Sequence, residues 1–425
     1  MQRRILLILF FVNVCFCGLY AQVSSELQVD RFEARLSQLE SVHQVKKLKG
    51  NTYQIEFRQP IDHDKPIGET FTQRMYLTHK DFDAPMVMVT EGYAAPRPYS
   101  YELSGVLAAN QLIVEHRYFG ESAPDSLDWT YLTTRQAAND LHRIVEVFKS
   151  LYQKKWINTG ISKGGQTAIY HRYYHPNDVD ISVPYVAPLN FGVEDSRLVK
   201  FINNVGSTSC RKKIFNYQRR LLERREELLP LMKWYCIGKG QKFAIGRKVA
   251  YEYAVLEYSF SFWQWGKDCR DVPDETASAD EMLQHLIDVV GFYLYSNEGV
   301  KYYEPFFYQA MTELGYYGFD LAGFQHLLKY APQPTNRTFA PMPNLPFDAD
   351  LNKNVKKWLR KSGDRFLYIY GELDTWSGAA VEPSNKTDAL KIVMKNRAHH
   401  NARIKNMTTS NQQKTLETLQ KWLNE

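Results

Sequence analysis

Cysteine is scarce here, five in 425 residues, and no two of them are spaced as C-x-x-C, which argues against a structural zinc site. Beyond the first two dozen positions no apolar run reaches the roughly 20 residues that a bilayer span requires. No concentrated basic block with interleaved aromatics is present, and the formal charge is a mild +6, so nucleic acid is not an expected partner. Internal repeats and low-complexity tracts are also missing. What remains is a chain long enough for one large core and a second, smaller unit.

The amino terminus reads as an export signal. Arg3 and Arg4 precede the apolar run Ile5 to Val14, and Ala21 is small enough for cleavage before Gln22. A membrane anchor is the competing reading, but the run is short for one. Residues 1–22 are therefore set apart, and their removal takes two arginines and no acid, so +6 becomes +4. Cys210, Cys236 and Cys269 then remain. An exported chain can form one disulfide among them, and all three pairings stay open.

Hydrophobic periodicity divides the rest. Leu27 to Leu48 has apolar positions spaced for one helical face. Thr52 to Arg58 and Thr70 to Thr78 read as a hairpin, and Pro85 to Thr90 and Gln111 to Glu115 as buried strands. Thr134 to Lys154 reads as an amphipathic helix. Lys155 to Thr159 and Asp180 to Val186 are two more strands, on either side of a helix from Gln166 to Tyr174. Strands alternating with helices in this way imply a mostly parallel sheet covered on both faces.

After about Asn190 the pattern turns helical and rich in aromatics, with helices expected over Arg197 to Asn204, Lys212 to Trp234, Arg247 to Phe262, Ala279 to Val290, Tyr303 to Glu313 and Asp320 to Tyr330. A proline-rich return, Pro332 to Pro346, leads to strands at Arg365 to Tyr370 and Lys391 to Met394 and a closing helix, Ser410 to Leu423. The expected domains are residues 23–192 and 347–425 for the sheet, with a helical cap, residues 193–346, inserted between them.

The chemistry centres on Gly160-Ile161-Ser162-Lys163-Gly164, a G-x-S-x-G pentapeptide between a strand and a helix. Small residues are needed there because the serine sits on a strained turn that lifts its hydroxyl clear of the backbone. A serine hydroxyl needs a base to take its proton and a carboxylate to orient that base. On this type of sheet they follow in the order Ser, Asp or Glu, His, each just after a strand. Asp374 follows the strand ending at Tyr370, and beyond residue 330 the only histidines are His399 and His400. The bland alternatives are a turn aspartate and a surface histidine pair. Lys163 is expected to offer its backbone N–H to an oxyanion, with Tyr93 or Gly92 offering a second. The Lys163 ammonium is expected in solvent. No metal and no cofactor is called for.

With these residues in view the chain resembles the secreted bacterial prolyl tri/tetrapeptidyl aminopeptidase family of serine peptidases, related to prolyl carboxypeptidase and the post-proline dipeptidyl peptidases. The resemblance rests on Thr90-Glu91-Gly92-Tyr93, Glu115-His116-Arg117-Tyr118-Phe119-Gly120-Glu121-Ser122, the pentapeptide, Gly371-Glu372-Leu373-Asp374-Thr375-Trp376-Ser377 and His400-Asn401-Ala402-Arg403. Its last motif, a histidine three residues before an arginine, selects His400. It implies an α/β-hydrolase with a helical cap that releases short peptides from free amino termini, with proline tolerated or preferred before the cut. An exopeptidase must neutralise the substrate ammonium, for which Glu91 is the candidate carboxylate, and Trp376 is the candidate pocket wall. A carboxylesterase using the same triad, or an inactive binding protein on the same scaffold, are the competing readings.

Overall fold

The computed structural model describes residues 31–425. The expected export signal, residues 1–22 with Cys15 and Cys17, lies outside them. Nine strands form one sheet: β1 (Val42–Lys47), β2 (Thr52–Pro60), β3 (Thr70–Thr78), β4 (Met86–Thr90), β5 (Asn110–Val114), β6 (Trp156–Ile161), β7 (Ile181–Tyr185), β8 (Phe366–Gly371) and β9 (Ala389–Met394). Their order is β1-β2-β3-β5-β4-β6-β7-β8-β9. Pairings from β1 through β3 to β5 are antiparallel, and all those from β5 to β9 are parallel.

Around the sheet lie α1 (residues 31–37), α2 (Glu102–Val106), α3 (Thr134–Lys149) and α4 (Lys163–Tyr174). Between β7 and β8 come α5 (Ser196–Ile202), α6 (Thr208–Glu223), α7 (Arg225–Gly238), α8 (Arg247–Gln264), α9 (Ala279–Val289) and α10 (Asn297–Gln309). Then α11 (Leu351–Ser362) precedes β8, and α12 (Thr409–Asn424) ends the chain. No helix among the described residues is long and apolar enough to cross a membrane.

The period of two along the central strands explains both covered faces. Met86 and Met88 of β4 pack with Leu141, Ile144 and Phe148 of α3. Val87 and Val89 point the other way, into a core closed by Leu419 and Trp422 of α12. On β8, Phe366, Tyr368 and Tyr370 face α4 and α11, whereas Leu367 and Ile369 face the α12 side. Buried on both sides, these strands are almost continuously apolar, as parallel strands must be. The six inserted helices build a separate core that also takes in Phe119, Trp376 and Ala379 from loops of the sheet.

Three expectations are corrected. The helix over Leu27 to Leu48 stops at residue 37, and Val42–Lys47 is an edge strand. Lys212 to Trp234 is two helices, α6 and α7, broken at Arg224. Asp320 to Tyr330 holds only a short turn, Gln325–Leu327. Of the three possible disulfides the structure makes Cys210–Cys269, leaving Cys236 a buried thiol.

Candidate active site

Ser162 stands between β6 and α4 with φ 57° and ψ −122°, a conformation that non-glycine residues rarely adopt. It is tolerated because its neighbours leave room. A Cβ on Gly160 would lie 2.4 Å from the Gly164 carbonyl and 2.5 Å from that of Thr90, and one on Gly164 would be 2.5 Å from the same Thr90 oxygen. The elbow thus packs backbone to backbone against the end of β4, where the next loop begins. A Cβ on Gly92 would sit 2.6 Å from Lys163 Cβ and 2.7 Å from Gly164 N, so residues 92–93 run directly over the start of α4. Lys163 is the first residue of that helix, and its N–H has no partner within the helix.

That loop is held by a buried carboxylate. Glu115 accepts from Ala95 N at 2.7 Å, Ser122 Oγ at 2.7 Å, Glu121 N at 3.0 Å and Arg74 Nη2 at 2.5 Å. Gly120, with φ 55°, is wrapped so closely that a Cβ would be 2.5 Å from Glu115 Oε2. Two residues after Glu115, Arg117 is fully buried and grips both oxygens of Asp140 at 2.7 and 2.8 Å. The Glu115–Ser122 motif is therefore scaffolding for the loop over the elbow.

Asp374 follows β8 and is fully buried, with Oδ1 accepting from Trp376 N at 3.2 Å. Its Oδ2 is 2.8 Å from Nδ1 of His399, not of His400. His399 is 6% exposed and lines one cavity with Ser162, whereas His400 is exposed. The expectation of His400 is corrected by this geometry. The loop after β9 pins His399 through its own backbone: its N–H donates to the carbonyl of Gln264 on α8, and its carbonyl accepts from Arg403 Nη1 at 3.1 Å. Consecutive side chains in a turn leave it on different sides, so fixing His399 inward leaves His400 outside. A carboxylate on Nδ1–H makes Nε2 the basic nitrogen of the ring.

The cavity holding Ser162 and His399 has a volume of about 440 Å³. Its walls are aromatic: Phe260 from α8, Tyr303 and Phe306 from α10, Tyr316, Tyr317 and Trp376. The cap also braces the polar residues, because Thr375 Oγ1 donates to the carbonyl of Phe260 at 3.0 Å and Trp265 meets His399 edge to face. A larger open groove of about 970 Å³ between α7 and α9 contains none of these groups.

The PS-10 peptidase S37 family model matches residues 33–423 of the chain. The chain belongs to the peptidase S37 family. It is 37% identical over 342 residues to "Prolyl tri/tetrapeptidyl aminopeptidase" of Streptomyces mobaraensis, covering 78% of this chain and 72% of that one. A shorter stretch of 165 residues is 28% identical to "Prolyl carboxy peptidase like protein 5" of Caenorhabditis elegans, over 33% and 32% of the two chains. Among solved structures, a proline iminopeptidase from Mycobacterium smegmatis aligns over 87% of this chain and 98% of its own at 12% identity, with a TM-score of 0.42, a likeness too distant to bear on function. Membership makes the chain a serine peptidase on an α/β-hydrolase sheet.

In this S37 peptidase two further site expectations change. The Lys163 side chain is 2% exposed, with Nζ 5.7 and 5.3 Å from the ring centres of Tyr93 and Phe119, and burial drives its pKa well below that of an ordinary lysine. Solvent is excluded because Gly92 and the Glu115-held loop close over it. Glu91 does not line the cavity; it accepts from the hydroxyl of Tyr99, and burial pushes its carboxyl up to about 7. The cavity carboxylate is instead Glu257 of α8. A glutamate inside an apolar helical stretch was the available signal, since burying a lone charge is costly and calls for a reason.

Proposed function

We propose that this peptidase is an exported exopeptidase that releases short peptides from free amino termini through an acyl-enzyme. The observation that carries the reading is that His399, held by Asp374, shares one aromatic, cap-covered cavity with the strained Ser162. Ser162 Oγ attacks the scissile carbonyl while His399 Nε2 takes its proton. Asp374 holds the tautomer and stabilises the imidazolium. Charge on the tetrahedral oxygen falls to the N–H of Lys163 and that of Tyr93 or Gly92. His399 returns its proton to the leaving amine, and water then frees the acyl group by the same relay.

Several observations support the finer points. A cavity of this size and aromatic lining suits a few residues of peptide, and flat ring walls suit a proline ring. The Streptomyces relative is named for tri- and tetrapeptide release after proline. Export rests on residues 1–22 as read from the sequence. The test is active-site labelling with a fluorophosphonate, which should mark the wild type and not Ser162→Ala. It is paired with Ala-Ala-Pro anilide and acyl-ester substrates. Ester turnover without release of tripeptide would defeat the proposal, and failure to label would make the chain a binding protein on a dead scaffold.

A further inference from the structure

The mechanism above uses no ionisable group of the cap, yet α8 puts one into the same cavity. Glu257 is 6% exposed. Its Oε1 accepts from Ser261 Oγ at 2.8 Å and its Oε2 from the hydroxyl of Tyr317. Both donors are neutral, and among the described residues no cationic side chain acts on it. The same helix shows the contrasting case. Glu252, fully buried, is paired with Arg225 and accepts from the backbone N–H groups of Lys329, Tyr330 and Ala331 at 2.7–2.9 Å. Glu252 has its counter-charge in the resting chain and Glu257 has none. Burial accordingly pushes the Glu257 carboxyl up to about 7.

Three more buried polar atoms of the cavity wall lack partners. Asn190 Nδ2 is committed to the carbonyls of Leu314 and Gly315, which orients its amide and leaves Oδ1 unpaired. Gln166 Nε2 and Trp376 Nε1–H are likewise buried and unpaired. Unsatisfied buried polar atoms are rare in folded chains and concentrate where a ligand completes them. The cavity therefore presents one uncompensated anion, one extra acceptor and two free donors among aromatic walls.

We propose that Glu257, helped by Asn190 Oδ1, is the subsite for the primary ammonium of the substrate's first residue, with Trp376 Nε1 donating to a substrate carbonyl; this rests on the serine-peptidase reading of the same cavity. An ammonium has three donors and no acceptor, which matches the two carboxylate oxygens and the amide oxygen. A guanidinium, with five donors in a flat fork, would leave donors facing rings. An acetylated amine brings no charge, and its carbonyl would face the carboxylate. A lysine side chain carries the same ammonium, so the substrates must separate the two sources.

The test compares wild type and Glu257→Gln on three anilides: Ala-Ala-Pro, acetyl-Ala-Ala-Pro and acetyl-Lys-Ala-Pro. The wild type should prefer the free amine over its acetylated form by roughly 30-fold or more in kcat/KM, chiefly through KM, the range for removing one partner of a buried charge pair. Glu257→Gln should reduce that preference to about 3-fold or less, the residue of steric and neutral hydrogen-bond effects. Equal turnover of free and acetylated peptide by the wild type overturns the proposal, as does a preference that survives the substitution. Full activity on the acetylated lysyl peptide would assign the carboxylate to side-chain cations and overturn it too. Should the variant not fold, the wild-type comparison decides alone. Fluorophosphonate labelling is read separately: Ser162 labelled without amine discrimination sinks this subsite and leaves the nucleophile standing.

Discussion

Replacing Glu257 by glutamine should make the empty enzyme more stable in alkaline solution and not in acid. Burial raises this carboxyl from 4.5 to about 7 in the folded chain. Between those values the folded chain binds more protons than the unfolded one, so stability falls as pH rises through that window. The penalty sets in near pH 4.5 and is fully developed above about pH 8; a shift of some 2.5 units corresponds to about 3 kcal/mol. Glutamine is neutral throughout. It accepts from only one of the two hydroxyls, Ser261 and Tyr317, that donate to the carboxylate, a loss of about 1 kcal/mol. The variant should therefore match the wild type at pH 5, where about 1 kcal/mol of the penalty has already developed, and be more stable by about 2 kcal/mol at pH 8.5. Unfolding entropy for a chain of this length makes 1 kcal/mol worth about 1 °C. The difference in Tm should thus swing by about 2 °C between the two pH values, read in matched thermal scans at one heating rate. A difference that is constant, or that shrinks as pH rises, would refute the reasoning.

Other outcomes are as specific. His399→Ala should lower kcat by about 10,000-fold or more, as loss of a triad base does, while His400→Ala should keep activity within about 3-fold, an exposed side chain contributing little; the reverse ranking would return the role to His400. Arg117→Lys loses the two-oxygen grip on Asp140 and should cost about 3 kcal/mol or more in chemical denaturation. Gly160→Ala places a methyl 2.4 Å from backbone, so it should abolish soluble, labelled enzyme; a labelled variant would show that the elbow can relax. Reducing Cys210–Cys269, which closes a separation of 59 residues, should remove about 4 kcal/mol of loop-closure stabilisation and lower Tm in dithiothreitol.

How far the residues themselves announced this architecture differs by element. Central strands were legible because burial on both faces leaves only apolar runs, and the Ser162 elbow because its glycines answer to a steric need. Asp374 followed from its place after a strand. His399 was missed by one position, since motif spacing counts residues and the side of a turn depends on where the backbone is pinned, here by Gln264 and Arg403. The edge strand Val42–Lys47 imitated a helix for a comparable reason. An irregularity between Val42 and Gln44 shifts the register, so Val42 and Val45, three apart, both pack against the core. Glu257 was hidden because helix periodicity says which face is buried, not which buried acid lacks a cation. Lys163 was read as solvated because nothing local reveals that a distant loop closes over it.

The end of α8 accepts two hydrogen bonds from the sheet loops, at the carbonyl of Phe260 from Thr375 and at that of Gln264 from His399. Both contacts are made by main chain, so no side-chain substitution in the cap deletes the acceptors. A cap anchored in this way behaves as masonry and not as a door: swinging it outward would carry off the supports of His399 and of the residue beside Asp374. Peptides must then thread in past local side-chain movements, and grafting a foreign insertion onto this sheet would yield a correctly folded strand order with a slack, poorly aimed imidazole.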